Sequence, residues 1–413
     1  MFLLGVLGVL IAGVLSSCQP DVAHPGSAAT GPKTQRPLTL TDVPTIRIRL
    51  NSHPLSTQAL ATSGGYRLWA GGKKISESRS PISQLVVRRS GGLWQLNSLS
   101  ASGNDVVLEP LSGFVGFGQT WYRGSIRLLP VGTDDFFAIN HVDLESYLAG
   151  VLSKELYPNW SSETYRALAV AARTFALYHM KTSGPGHDFD VGDDQASQVY
   201  GGRSGETDRA WEAVRKTHGL ILCFGPSGGE QIFMAQYSAS CGGNVNPAYV
   251  IRDAPDIQPV QGGQKCDDCR RCSHYRWPTV RISKAEIARA LAQAYPAAVD
   301  PGGVSTIRVL SQTPSGRAVW IDVTGPSGKA TRLRAEDLRL ALLRYGPPEA
   351  KALYSMNCRI NNVGSAIEFA DGKGFGHGVG ICQWGAQGKA ERGMGWEEIL
   401  QFYYPGAKRM HAY

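Results

Sequence analysis

Residues Tyr147–Met180, YLAGVLSKELYPNWSSETYRALAVAARTFALYHM, carry two helical patterns separated by a turn. Leading into and through the first half, Val142, Leu144, Tyr147, Leu148, Val151 and Leu152 recur mostly three and four apart, the spacing of one helix face. Pro158 breaks that pattern, and Ser161 or Ser162 can cap the helix that follows by accepting from its first free N–H groups. The second helix, predicted from Glu163 to about Met180, sets Leu168, Ala169, Ala172, Phe175 and Ala176 along one stripe, where small side chains let a neighbour pack closely. Glu155 closes the first helix just before Tyr157-Pro158 and faces into Trp160. A carboxylate set among Leu156, Tyr157 and Trp160 loses hydration, which favours its protonated form and suits a general acid. A solvent-facing Glu at a helix end would show the same spacing. Arg173, in a run of alanines, reads equally as a buried anion-binding cation or an exposed side chain.

Outward from this stretch the pattern changes. From Thr45 to Val131, short alternating or apolar runs (Ile46–Leu50, Leu85–Val87, Val106–Leu108, Ile126–Leu128) are bounded by Gly, Ser and Asn clusters and predict a β-rich unit over 42–135. Downstream, helices are expected at Asp208–His218, Lys284–Tyr295, Ala335–Tyr345 and Trp396–Tyr403. Strands are expected at Leu220–Phe224, Gln231–Tyr237, Ser305–Leu310 and Ala318–Thr324, with a glycine-rich loop from Gly372 to Gly388. The elements lack the steady alternation of a doubly wound sheet, so the class is α+β. The reading divides the chain into the β-rich unit, a mixed α/β core over 136–260 completed by 357–413, and an inserted Cys-rich α+β segment over 261–356.

With 413 residues, 42% apolar and 18% charged, the composition is that of a globular protein long enough for more than one packed unit. The net charge of +8 is spread without a Lys/Arg block, which gives no groove for nucleic acid. Phe2–Leu15 is an apolar run too short to span a bilayer and matches the core of a signal peptide. It ends in Leu15-Ser16-Ser17-Cys18, which resembles a lipobox with Cys18 as the acylated residue, although no Lys or Arg precedes the run. Residues 1–18 therefore read as a lipoprotein signal, and 19–41, rich in Pro, Ser, Ala and Gly, as a flexible tether. The expected location is the cell envelope, on the periplasmic or outer-membrane side, with the membrane reached through the lipid.

Two further stretches carry chemistry. Gly374–Gly388, GFGHGVGICQWGAQG, combines close-approach glycines with His377, Gln383, Trp384 and Gln387; Trp384 offers a flat face of the kind sugars stack on. Besides Cys18 there are seven cysteines, an odd number that cannot all pair among themselves. Cys266-x-x-Cys269-x-x-Cys272 has metal-ligand spacing, and Cys241 in a Cys-Gly-Gly turn could supply a fourth thiolate, so structural zinc and disulfides both remain open. A ferredoxin-type cluster would want a further cysteine where Arg276 stands. A four-thiolate zinc site has no open position for catalysis.

Taken in order, Tyr147–Met180, Gln198-Val199-Tyr200-Gly201-Gly202, Tyr237-Ser238-Ala239-Ser240-Cys241-Gly242-Gly243, Gly374–Gly388 and Phe402-Tyr403-Tyr404-Pro405-Gly406 resemble the SpoIID/LytB family. That family includes the stage II sporulation protein D lytic transglycosylase and amidase-enhancer proteins. The chain departs from the family's pattern at Cys382, where Ser is frequent, and at Asn244, where Thr or His is usual.

The resemblance implies that Glu155 is the catalytic acid and that Arg173, Gln198, Tyr200, Ser240, His377, Gln383 and Trp384 bind substrate. It implies cleavage of the bond between N-acetylmuramic acid and N-acetylglucosamine in peptidoglycan by one Glu acting as acid and then base, leaving 1,6-anhydro ends. No cofactor is required for that chemistry. The alternative it carries is a glycan-binding protein that activates a cell-wall amidase without cutting.

Overall fold

The computed structural model describes residues 40–193, 198–251, 257–296, 300 and 302–413. The signal segment, Cys18 and nearly all of the tether lie outside the described residues. The class is α+β, as the element pattern predicts. No helix among the described residues is long and apolar enough to cross a membrane. Contacts divide the chain into two compact units.

The first unit comprises Arg47–Val142 and Asp188–Val199. Its seven-stranded sheet runs Val191–Gly192, Thr45–Arg49, Asp135–Asp143, Ser125–Val131, Val106–Pro110, Tyr66–Ala70 and Lys73–Ser78. Val191–Gly192 lies parallel to Thr45–Arg49, with Ile48 opposite Val191. Asp190, just before it, is clamped by Arg47, whose Nη2 donates at 2.7 Å and whose backbone N–H donates at 2.8 Å. A second sheet of six strands centres on Thr57–Thr62 and Leu85–Ser90. Burial along Leu85–Ser90 alternates strictly, the period-two signature of a strand with one face on a core. Val87, Trp94, Leu108, Leu128 and Phe136 fill the interior.

The second unit, Asp143–His187 with Tyr200–Tyr413, is organised around one helix. Helix α1 spans Leu144–Glu155 and is capped by Asp143, which accepts from the Ser146 N–H at 2.8 Å. Helix α2, Ser162–Thr182, is capped by Ser161 and buried along most of its length. Its alanine faces let α1, α3 (Asp208–Lys216) and the strand Leu220–Phe224 pack against it. Two C-terminal helices, α6 (Gln383–Glu391) and α7 (Trp396–Tyr403), pack on it as well. Ala167, Val170 and Ala171 meet Leu222, Phe233, Ile381, Ala386, Ile399 and Tyr403 in a common core.

Between these halves of the core, the chain builds a separate apolar cluster around Ile282, Leu291, Ile307, Ile321, Leu338, Leu342 and Phe369. Helices α4 (Lys284–Ala294) and α5 (Ala335–Tyr345) pack together there. They accompany the antiparallel strands Val280–Ser283, Ala366–Ala370 and Arg359–Val363, and a meander of Thr306–Gln312, Ala318–Thr324 and Ala330–Arg334. Two short pairings lead back to the core. Arg276–Trp277 runs antiparallel to Gly372–Lys373, and Tyr237–Ser238 runs parallel to Ile381–Cys382.

The sequence reading carries a loop through to Gly388, and the structure corrects it: Gln383–Glu391 is helical. The glycines that argue for a loop serve close packing. A Cβ on Gly385 would fall 2.3 Å from Tyr403 Oη and 2.4 Å from Cys266 Sγ, and one on Gly388 would fall 2.9 Å from the Asp268 Cβ. The loop character belongs to Gly374, Gly376, Gly378 and Gly380, all with positive φ that side-chain-bearing residues rarely adopt.

Candidate functional site

Glu155 is the last residue of α1, and Leu156 turns the chain into extended backbone. The carboxylate is half-buried, and the Gln383 side chain reaches it: Nε2 donates to Glu155 Oε2 at 3.0 Å. Gln383 is the first residue of α6, so its own position is set by where that helix begins.

Beside this pair stands a cluster of three aromatic rings. Trp160 and Trp384 meet edge to face at 5.0 Å between centroids, and Tyr157 lies 5.1 Å from Trp160 and 5.6 Å from Trp384. Trp160 is buried, whereas Tyr157 is 54% exposed, so the cluster presents a partly open apolar face. A hollow of about 230 Å³ adjoins it, lined by Asn159, Trp160, Arg271, Trp384, Gln387, Gly388 and Glu391. Arg271 forms an ion pair with Glu391 at its edge.

Helix α6 is locked to the start of α2 by Gln387. Its Oε1 accepts from the Ser161 N–H at 2.9 Å and from Thr164 Oγ1 at 3.0 Å, and its Nε2 donates to Glu391 at 2.9 Å. The same turn that follows Glu155 therefore holds α6 through a buried amide. An amide side chain offers one donor edge and one acceptor edge. Gln383 can thus serve Glu155 both as carboxylate and, with the amide turned, as carboxylic acid.

The remaining residues expected to bind substrate are distributed elsewhere. Arg173 is fully buried and is spent on a two-pronged pair with Glu145: Nε donates to Oε1 at 2.8 Å and Nη2 to Oε2 at 2.7 Å. It also donates to the Leu220 carbonyl at 3.0 Å, and Tyr413 donates to the same carboxylate. Arg173 is a structural cation that ties α1 to α2, which corrects its expected role on the sugar. Tyr200 is buried with its ring 5.0 Å from Tyr147, and it abuts Gly150, where a Cβ would fall 2.6 Å from the ring. Gln198 is buried within the first unit. Ser240 is buried, and its backbone is bridged to Phe375 at 3.0 and 2.8 Å.

His377 faces charged groups of the inserted segment. Burial pushes the ring down to about 4, with the Glu336 carboxylate opposing and Arg317 and Arg339 adding to the shift. Its Nδ1 accepts from the Val379 N–H at 3.1 Å, and the ring is neutral at neutral pH. Arg317, to which the sequence reading gave no role, is fully buried and donates from Nη1 to the Gly376 carbonyl at 3.0 Å, bracing the glycine loop from below. A lone arginine between two strands carries no sequence signal for that position.

The cysteines also regroup. The thiols of Cys241, Cys266, Cys269 and Cys382 all lie within 4.8 Å of one another and are buried. Cys382 takes the place expected for Cys272. Residues Asp267–Arg271 form a 3-10 turn that brings Cys266 and Cys269 together, but Cys272 leaves it in an extended conformation. The parallel pairing of Tyr237–Ser238 with Ile381–Cys382 instead sets Cys382 beside Cys241, whose N–H donates to Cys382 Sγ at 3.3 Å.

With this geometry in hand, the relatives are informative. Residues 133–224, spanning α1 to the strand at Leu220, match the family described as Stage II sporulation protein (SpoIID). Residues 252–380 match a domain of unknown function (DUF8618). The chain is 31% identical over 322 residues to an uncharacterized protein of Brachyspira hyodysenteriae, covering 78% of this chain and 80% of that one. It is 25% identical over 308 residues to Stage II sporulation protein D of Bacillus subtilis, covering 70% and 81% respectively. It is also 26% identical over 306 residues to an Amidase enhancer of Bacillus subtilis, covering 63% of this chain and 39% of that protein. The chain belongs to the SpoIID family.

Proposed function

We propose that the protein is an exported peptidoglycan lytic transglycosylase in which Glu155 is the sole acid and base, anchored in the cell envelope through a lipid on Cys18. The observation that carries this reading is Glu155 held by Gln383 beside the Tyr157, Trp160 and Trp384 rings. Aromatic faces stack on the apolar faces of sugar rings, and the half-buried carboxyl beside them is positioned to protonate a glycosidic oxygen.

Protonated Glu155 gives its proton to the oxygen leaving the muramyl carbon as that C–O bond breaks. Positive charge develops at the carbon and is opposed by the carboxylate just formed. The 6-hydroxyl oxygen of the same sugar then bonds to the carbon and returns its proton to Glu155, closing a 1,6-anhydro ring. Because the nucleophile belongs to the substrate, a second carboxylate to activate water is unnecessary. Gln383 follows the proton by switching between its donor and acceptor edges.

The test is incubation of the chain lacking residues 1–18 with peptidoglycan, intact or stripped of stem peptides, beside Glu155→Gln. Anhydro-ended fragments from the parent protein alone are expected; products carrying an added water would sink the transglycosylase reading. A second reading, activation of a cell-wall amidase by a glycan-binding protein, is favoured by the likeness to the protein named Amidase enhancer. Glycan binding without cleavage by either protein, with stimulation of an added amidase, would establish that reading instead.

A further inference from the structure

We propose that Cys241, Cys266, Cys269 and Cys382 hold one zinc ion in a closed tetrahedral site that fixes the start of α6. The inference does not depend on the glycan reading, since it concerns what holds the helix rather than what the helix acts on.

The geometry is that of a single ion. Zinc–thiolate bonds of about 2.3 Å in a tetrahedron put the sulfurs about 3.8 Å apart. Cys241 Sγ and Cys269 Sγ stand 3.7 Å apart, and every pair in the group lies within 4.8 Å. Two disulfides would need only each bonded pair to be close. An iron–sulfur cluster interposes iron and sulfide and spreads its thiolates further than a single ion does.

The surroundings suit thiolates. All four residues are 0% exposed, so anionic sulfur needs a cation or donors to replace water. Donors are present: the Cys241 N–H is directed at Cys382 Sγ, and Tyr403 Oη lies 3.2 Å from Cys266 Sγ. Such contacts from the next layer of residues are what tune and orient metal-bound ligands. Gly385 completes the fit, because any Cβ there would strike Cys266 Sγ and stand 3.2 Å from Cys382 Sγ.

The ligands come from separate stretches of chain. Cys241 follows the strand Tyr237–Ser238, Cys266 and Cys269 belong to the 3-10 turn, and Cys382 caps α6 immediately before Gln383. Asp268, inside the Cys-x-x-Cys turn, pairs with Lys389 of α6 at 3.0 Å, so turn and helix are already in register. The ion closes that register and thereby fixes where Gln383 starts. With four thiolates it has no open position, and its role is structural.

The full chain would be purified without added chelator and its metal content measured, with Cys382→Ser and Cys272→Ser as variants. About one zinc per chain is expected in the parent and in Cys272→Ser, with most of it lost from Cys382→Ser. Zinc-edge X-ray absorption on the parent, which does not rely on any variant folding, should show four sulfur neighbours at about 2.3 Å. Stripping the ion should raise hydrogen exchange at residues 381–388 well above that of α2. Iron in place of zinc, nitrogen or oxygen among the neighbours, zinc kept by Cys382→Ser but lost from Cys272→Ser, or a metal-free chain four hydrogens lighter would each overturn the proposal. None of these readouts requires the protein to cut glycan, so this inference and the catalytic reading fail separately.

Discussion

Gln383 donates to Glu155 at 3.0 Å across a sequence separation of 228. A bond to a charged group contributes about 1.5–3 kcal/mol, so Gln383→Ala should lower turnover roughly tenfold to a hundredfold. Losing a donor disfavours the carboxylate, so the alkaline limb of the rate profile should move to higher pH. A loss of rate with an unmoved limb would show that Gln383 positions something other than the acid. The pH dependence of anhydro-product release checks both points.

Trp384 shares the ring cluster with Tyr157 and Trp160. Trp384→Ala removes the flat face and about 1.5 kcal/mol of stacking, so glycan binding should weaken about tenfold. Because Glu155 is untouched, the effect should fall on KM more than on kcat. Sedimentation with insoluble peptidoglycan gives the affinity directly.

The Glu145–Arg173 pair supports the fold rather than the chemistry. Breaking a buried pair on one side costs about 3–5 kcal/mol, so Arg173→Ala should lower the melting temperature sharply. Arg173→Lys should rescue it only in part, because an ammonium cannot make both prongs. Whatever fraction remains folded should bind glycan normally.

The same pair predicts an acid limit. Burial alone would raise the Glu145 carboxyl, but the hydrogen bonds and charge of Arg173, with help from Tyr413 and the Gly219 N–H, hold it below the usual range. The stabilisation is complete above the unfolded value of about 4.3 and is lost as pH falls through the lower folded value. Melting temperatures recorded down the acid range should show this decline in the parent, and Glu145→Gln should flatten it.

His377 predicts a second dependence. Its folded value of about 4 lies below an unfolded value of about 6.5, so the unfolded chain takes up a proton first as pH falls. Stability should therefore decline from about pH 6.5 towards 4, and the slope should be shallower in His377→Asn. The His377 ring resonances of the folded protein should stay in their neutral position as pH falls through that window and shift only on approach to about 4.

Much of the fold is legible in the chain. The capping Ser161 and the apolar residues recurring three and four apart mark α1 and α2 within a few residues, because those are among the residues each helix buries. Leu85–Ser90 of the first unit is legible too, because its alternation places one face on the core. Helix α6 was hidden because its glycines answer to Tyr403, Cys266 and Asp268, contacts with distant parts of the chain. Arg173 was misplaced because its partner lies 28 residues upstream, where an ordinary helix-start Glu shows no sign of being buried. The thiol set was three-quarters legible from spacing. Its fourth member lies 110 residues beyond Cys272 in a loop that sequence alone ties to glycan chemistry, and only the pairing of Tyr237–Ser238 with Ile381–Cys382 brings it to Cys241.

The order in which the site is spelled along the chain has a consequence for biosynthesis. Glu155, Tyr157 and Trp160 are synthesised well before the 252–380 segment, whereas Gln383, Trp384 and Gln387 follow it. Until that later stretch has been made, the Gln383 amide that holds Glu155 and the third ring of the cluster are both missing. On the function proposed above, such a layout keeps the nascent chain without a complete site until the stretch after the 252–380 domain has folded onto α2.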